Sequence, residues 1–474
     1  MRLLKQIKIG ILAGICMISY SCSKILDQEI IQNPVSINAW ENPADAEKEV
    51  AAAYDLLRTA VSNDYLLFKA GDIRAYDYLN GSFGSLWAYY NDKSLLLYSS
   101  AMSDWSNFYK VISQCNLILE KIEGIDQSKW SGNLKDRYAG ETHFIRAFSY
   151  FLMIRLWGDV PLQLQAFNTE FISGEKVEKV ATVIFEDLQY AAEHLQWEYS
   201  VAERGIRATK GAALTITAHA KAWFKDYAAC EAACAKVINE GPYKLVQDTA
   251  KFMSIFIGKS EEGIFELNYS FAEKELDPLG SIGKITLPDP YYRNNYGYML
   301  ACPPEGVKAA LFPEGKPDRR KDYWFVASTW NTTNTSLGKY RTLAAGQDTA
   351  SGKINESNII ITRLADVVLL HAEALAALGR NADAVVEVNK VRKRAAAPLY
   401  NGNGSIKDTI LAERRIELTG EGHRFFDLVR TGQLPKFQPN ISAADFQKGA
   451  WLLPIKPEIV ANSNGTIVQN EFWK

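Results

Sequence analysis

Little in this 474-residue chain supplies the usual apparatus of catalysis. Its five histidines (His143, His194, His219, His371, His423) are scattered, and no two stand four apart on one helix face, so no zinc-ligand spacing arises. No Gly-x-Ser-x-Gly elbow occurs, nor a glycine-rich phosphate loop ahead of a helix. Charge of one sign is missing too. The 53 Lys+Arg against 55 Asp+Glu leave a formal net charge of −2, which removes the cationic footprint of a nucleic-acid binder. There are six cysteines, two of them within the first 22 residues. Of the others, Cys230 and Cys234 stand one turn apart on a predicted helix, and Cys115 and Cys302 are isolated. They read as small apolar packing residues without a disulfide framework. Neither a metal nor a cofactor is called for. At 47% hydrophobic and 23% charged residues, the composition is that of a folded globular protein.

Long apolar runs are absent except at the start. Arg2, Lys5 and Lys8 precede residues 9–18 (IGILAGICMI), a secretory signal too short to span a bilayer comfortably. Ser19-Tyr20-Ser21-Cys22 follows and resembles a bacterial lipobox. Residues 1–21 are therefore expected to be a signal peptide, and Cys22 an acylated N-terminus that tethers an otherwise soluble body to a membrane.

From Asn42 to the mid-200s the period is helical. Asn42-Pro43 forms an N-cap and first-turn pair, with Val50, Tyr54, Leu57 and Val61 on one stripe. A second helix opens near Asp104, a third runs from about 135 to Trp157 and stops at Gly158, and a fourth covers about 180–195. Two later segments look like copies of one unit. Ala212, Ile216 and Ala220 lead through a turn to Cys230, Cys234 and Val237. In the same way Asp366, Leu370 and Ala374 lead to Ala384, Val388 and Val391. Small residues at such crossings let antiparallel helices approach closely, the logic of tetratricopeptide pairs. Between the copies, residues 242–360 lose helical periodicity. Short strands are predicted at 263–269 and 357–361, within a loop-rich insertion over the scaffold.

The abundant feature is aromatic. Tyr76, Tyr78, Phe83, Trp87, Tyr89, Tyr90, Tyr98, Trp105, Phe108 and Tyr109 fall close together, among Gly81, Gly84, Asn80 and Asn91. Residues 76–92 read as an exposed loop, whereas Trp105, Phe108 and Tyr109 lie on a helical stripe and read as core. A second cluster holds Tyr291, Tyr292, Arg293, Tyr296 and Tyr298; a third holds Tyr323, Trp324, Phe325 and Trp330. Flat rings edged by Asn and Arg stack on sugar faces, or grip an extended peptide. The candidate ligand residues are Trp87, Tyr89, Tyr90, Asn91, Tyr291, Tyr292, Arg293, Tyr296, Trp324 and Trp330.

Four ordered stretches carry a resemblance: 141–148 (ETHFIRAF) with 157–161 (WGDVP), 363–374 (RLADVVLLHAEA), 413–432 (ERRIELTGEGHRFFDLVRTG) and 452–455 (LLPI). Together with the lipobox they resemble the SusD/RagB lipoproteins along almost the whole chain. The resemblance implies a mostly α fold, in which tetratricopeptide-like helix pairs form a right-handed superhelical scaffold and a loop-rich, partly β insertion carries the ligand face. Residues 22–474 would be one domain, divided into helical 22–241, irregular 242–360 and helical 361–474. It also implies a non-enzymatic, lipid-anchored protein on the outer face of the outer membrane. Such a protein hands an oligomeric nutrient to a SusC-like TonB-dependent β-barrel. The Trp, Tyr and Asn texture favours a glycan over a peptide; a structural adaptor and a hydrolase remain alternatives. Within 413–432, Glu413, Arg414, Glu417, Glu421, Arg424, Asp427 and Arg430 are spaced for salt bridges, so this signature reads as frame rather than site.

Overall fold

The computed structural model describes residues 40–75, 77–80, 102–168, 170–273, 281–287, 301–302, 306–327, 335–349, 352–438 and 440–474. Cys22 and the signal segment lie outside them.

The first long helix, α1 (Pro43–Ser62), starts where the sequence demands. The Asn42 side chain accepts from Ala44 N at 2.9 Å, the Asp45 carboxylate accepts from Asn42 N at 3.2 Å, and Pro43 occupies the first turn. Its stripe of Ala46, Val50, Ala53 and Leu57 is fully buried. After a short α2 (Leu66–Gly71) come α3 (Ser106–Lys121), α4 (Leu134–Trp157) and α5 (Val177–His194). The α4 helix is buried on nearly every face and ends at Gly158, whose φ of +79° a side-chain-bearing residue would adopt only with strain. As the stripe predicts, Trp105 and Phe108 are core. Both pack edge-on against Trp157, and half-buried Tyr109 donates to Pro161 O at 2.7 Å.

The two repeated units are helix pairs, α6 (Lys210–Trp223) with α7 (Tyr227–Glu240) and α8 (Leu364–Ala377) with α9 (Asn381–Arg394). Ala212, Ala213 and Ala220 meet Cys230, Ala233, Cys234 and Val237 in one pair; Ala365, Ala372 and Ala376 meet Ala384, Val388 and Val391 in the other. The cysteines here and Cys115 are buried free thiols, as their helical spacing suggests. Helix α7 packs directly on α8, so the scaffold is continuous although more than 120 residues of chain intervene. The C-terminal signature is carried by α10 (Ile406–Glu417) and α11 (Arg424–Arg430).

The intervening chain leaves and re-enters through an antiparallel strand pair, Gly263–Leu267 with Ile359–Arg363. Both strands are wholly buried, and Phe265 sets its ring edge-on to Phe144 and Phe148 of α4 at 4.8 and 5.8 Å. The irregular segment is thus rooted between the helices, not merely laid over them.

No described helix is long and apolar enough to cross a membrane. Trp105→Ala should leave a cavity against Trp157 and cost about 3–5 kcal/mol of stability. Urea unfolding followed by Trp fluorescence and circular dichroism measures it.

Candidate functional site

Short strands at the described ends of the three aromatic-bearing stretches meet in one place. In the strand order used from here, β1 is Leu79–Asn80, β2 Gly263–Leu267, β3 Ala301–Cys302, β4 Phe325–Ala327, β5 Thr335–Leu337 and β6 Ile359–Arg363. Leu79 pairs with Cys302 and Asn80 with Ala301, so the chain entering the first cluster is bonded to the chain leaving the second. Strand β4 pairs with β5 from Phe325↔Leu337 to Ala327↔Thr335, which brackets the segment holding Trp330. Strand β3 lies against β5 and closes the set.

A tight turn inside the C-terminal signature holds these roots. Gly420 N and Gly422 N donate to the two carboxylate oxygens of Asp72, at 3.1 and 2.6 Å. A Cβ on Gly71 would stand 2.1 Å from Gly422 O, so that contact requires glycine at 71. Around the turn, Tyr78 Oη lies 2.7 Å from Thr419 Oγ1, Tyr340 Oη donates to Gly420 O at 2.9 Å, and Arg415 grips Asp77 at 2.6 and 3.0 Å. Residues 77–78, 340 and 419–422 are thereby fixed to one another. Burial, with Asp77 nearby, pushes the Asp72 carboxyl up to about 8 despite its two N–H donors.

Beneath the turn lies a charge network whose centre has no solvent access. Arg363 donates to Glu262 at 2.6 Å, Glu417 at 2.7 Å and Glu421 at 2.8 Å. Arg394 reaches Glu262 at 2.8 Å and also contacts Glu417. Arg320 bridges Glu413 at 2.6 Å and Glu417 at 2.9 Å, and Lys339 Nζ donates to Glu421 at 2.6 Å. These four cations and four carboxylates have fully buried side chains, and Asp318 on Arg320 and Arg392 on Glu413, each at 2.7 Å, extend the network toward the surface to five charges of each sign. Surrounding guanidinium groups hold Glu417 well below the ordinary carboxylate range against its burial, and Glu421 is lowered too. Burial pushes Lys339 down to about 8. The sequence placed the signature carboxylates and arginines in salt bridges, and there they are. Their partners Glu262, Arg320, Lys339, Arg363 and Arg394 were not foreseen.

Two expectations are corrected. Trp324, a candidate ligand residue, is fully buried: Lys339 Nζ sits 3.9 Å from its ring centre, and Arg320 and Arg363 lie within 6.0 Å. Its ring is a cation-facing wall of the network. Tyr78, read as the start of an exposed loop, is likewise core, packed on Phe68 at 5.1 Å. Trp87, Tyr89, Tyr90, Asn91, Tyr291, Tyr292, Arg293, Tyr296 and Trp330 lie outside the described residues.

His219, Asp366 and His423 bring three possible metal-ligand atoms within 4.8 Å of one another. Asp366 already faces Arg414 at 2.9 Å and His219 Nε2 at 2.7 Å, and Arg414 also binds Asp427 at 2.8 Å. A further cation there would face a guanidinium at close range, so the cluster suits an internal ion pair better than a metal.

The architecture is a mostly helical scaffold with short paired strands braced on one buried turn. Known proteins share the fold. A model described as the SusD family matches residues 321–473, and one described as "Starch-binding associating with outer membrane" matches residues 46–220. The chain belongs to the SusD/RagB family. Its members are substrate-binding proteins associated with the outer membrane. SusD-like protein P38 of Formosa agariphila is 26% identical over 96% of this chain and 97% of that protein. A solved SusD homologue from Bacteroides thetaiotaomicron is 29% identical, with a TM-score of 0.79 over 92% of this chain and 99% of that one. A laminarin-binding SusD-like protein, 22% identical with a TM-score of 0.75 over 91% and 99% of the two chains, shares the fold.

The network makes an acid-stability prediction. Glu417, Glu421 and Asp427 (the last lowered to about 2) have folded pKa values below their ordinary 4.5, 4.5 and 3.8. A lowered carboxyl contributes fully above its ordinary value and loses that contribution as pH falls toward the folded one. The urea midpoint should therefore drop from about pH 4.5 downward. Glu417→Gln, which leaves three guanidinium groups short of a counter-charge, should cost about 3–5 kcal/mol at pH 7 and flatten that drop.

Proposed function

We propose that the chain captures an oligosaccharide on the face bearing the three aromatic segments. Anchored through Cys22 at the outer membrane and facing outward, it delivers the glycan to a SusC-like TonB-dependent β-barrel. The observation that carries this reading is the convergence of the loop roots: β1 on β3, β3 against β5, and β4 on β5. Three stretches rich in Trp, Tyr, Asn and Gly leave one braced platform, where rings on different stretches can stack on successive sugar faces. The starch-binding description of the family model over residues 46–220 supports a glycan rather than a peptide.

Trp87→Ala and Tyr292→Ala should each weaken binding of the cognate oligosaccharide by about 1–3 kcal/mol, the scale for an aromatic anchor. Their melting temperatures should stay near that of the parent. Calorimetric titration after a glycan-array screen, with thermal melts alongside, checks both. Melting temperatures depressed as far as that of Trp105→Ala would put those rings in the core and defeat the assignment.

A further inference from the structure

Away from the loop platform, the segment following α5 and the approach to β2 enclose a cleft of about 430 Å³. Its aromatic lining is Trp197, Tyr199 and Tyr243. Tyr243 and Tyr199 are held in place. Tyr243 Oη lies 2.9 Å from Thr209 Oγ1, and its ring fills the space a side chain at Gly211 would need, since a Cβ there would meet Tyr243 Oη at 2.2 Å. Arg137 stacks 3.8 Å from the Tyr199 ring centre, and Tyr199 Oη accepts from Gln196 N at 3.2 Å. Trp197 is half-buried, with Lys210 Nζ 5.7 Å from its ring centre, and its indole N–H donates to no described residue.

The cleft shares Tyr243, Lys244 and Glu261 with a wider groove of about 750 Å³, so the two form one depression. The groove is lysine-rich: Lys244, Lys251, Lys390 and Lys393 line it. Lys390 is paired with Glu387 at 2.8 Å, but Lys244, Lys251 and Lys393 make no ion pair among the described residues. Four carboxylates face these cations. Glu198 is paired with Arg204 at 2.9 Å and Glu203 with Arg137. Asp248, which accepts from Ala250 N at 3.0 Å and keeps its charge, and Glu261 make no ion pair among the described residues, so three unpaired lysines stand against two such acids. Lys393 also suits the C-terminal turn of α9, where a cation is favoured for the helix's own sake. That does not explain Lys244 and Lys251, which come from a different part of the chain and converge on the same groove.

Rings at one end and unpaired ammonium groups at the other suit a ligand that is part saccharide and part anion. We propose that this depression is a second carbohydrate site, separate from the aromatic loop face, which takes an acidic oligosaccharide. A sugar ring stacks within Trp197, Tyr199 and Tyr243, and the carboxylate or sulfate groups of neighbouring units reach Lys244, Lys251 and Lys393.

The test is calorimetric titration of the full chain in detergent with three probes: an oligogalacturonate, a sulfated galactan oligomer and a neutral maltooligosaccharide. At least one acidic probe should bind, several-fold more weakly at about 0.5 M than at 0.05 M NaCl. Trp197→Ala should weaken it about tenfold, and Lys251→Glu with Lys393→Glu at least as much, with melting temperatures unchanged and Trp87→Ala without effect. Which acidic probe responds separates carboxylate from sulfate recognition. Failure of both acidic probes to bind overturns the proposal. So does binding that is lost in Trp87→Ala yet kept in Trp197→Ala, a result that would leave the loop-face reading standing. If Trp197→Ala lowers the melting temperature, the lysine pair, exposed and away from the core, decides alone.

Discussion

Eight buried charges set the terms for everything above them. Removing one ion from water costs several kcal/mol even after relaxation, and only close, hydrogen-bonded opposite charges recover it. Arg320, Lys339, Arg363 and Arg394 against Glu262, Glu413, Glu417 and Glu421 meet that condition as a set, and loss of any member leaves an uncompensated charge in the core. Such a network is weak evidence for net stability, because apolar residues of the same volume often do as well. Its effect here is registration. It joins the end of α9 and the signature helix α10 to three points within the irregular segment, between partners 78 to 132 residues apart in the chain. A packing shifted by one turn would leave full charges unpaired in the core.

That registration explains how a helical protein carries a braced loop platform. Three of the four carboxylates, Glu413, Glu417 and Glu421, sit on α10 and in the turn that follows it, and the same turn clamps Asp72, Tyr78 and Tyr340. Trp324 faces the cations from the opposite side, at the entry to β4. The loop roots therefore inherit their placement from the ionic frame and need no large sheet of their own. This agrees with their shortness, two or three residues per strand.

The sequence revealed the helices well because their signals are local. The Asn42-Pro43 cap, the stop at Gly158 and the small-residue crossings each depend on neighbours a few positions away. The salt-bridging role of the signature was legible for the same reason, since its charges recur at helical spacing. Trp324 and Tyr78 were misread because burial of an aromatic in a stretch without periodicity depends on what arrives from elsewhere. For Tyr78 that is Thr419, 341 residues on; for Trp324 it is Lys339 and Arg363. Glycine and asparagine beside a ring mark a turn, and a turn faces inward when a second turn covers it, as 419–422 covers Tyr78.

The central claim is that the turn at 419–422 is a shared clamp for the loop roots and not an isolated structural detail. Hydrogen–deuterium exchange on Asp72→Ala tests it most directly, because Asp72 touches the turn through Gly420 N and Gly422 N. Exchange should accelerate together in peptides covering 417–424, 77–80 and 335–342, while those covering 43–62 and 210–240 keep the parent rates. Acceleration confined to 417–424, with the roots as protected as in the parent, would contradict the account.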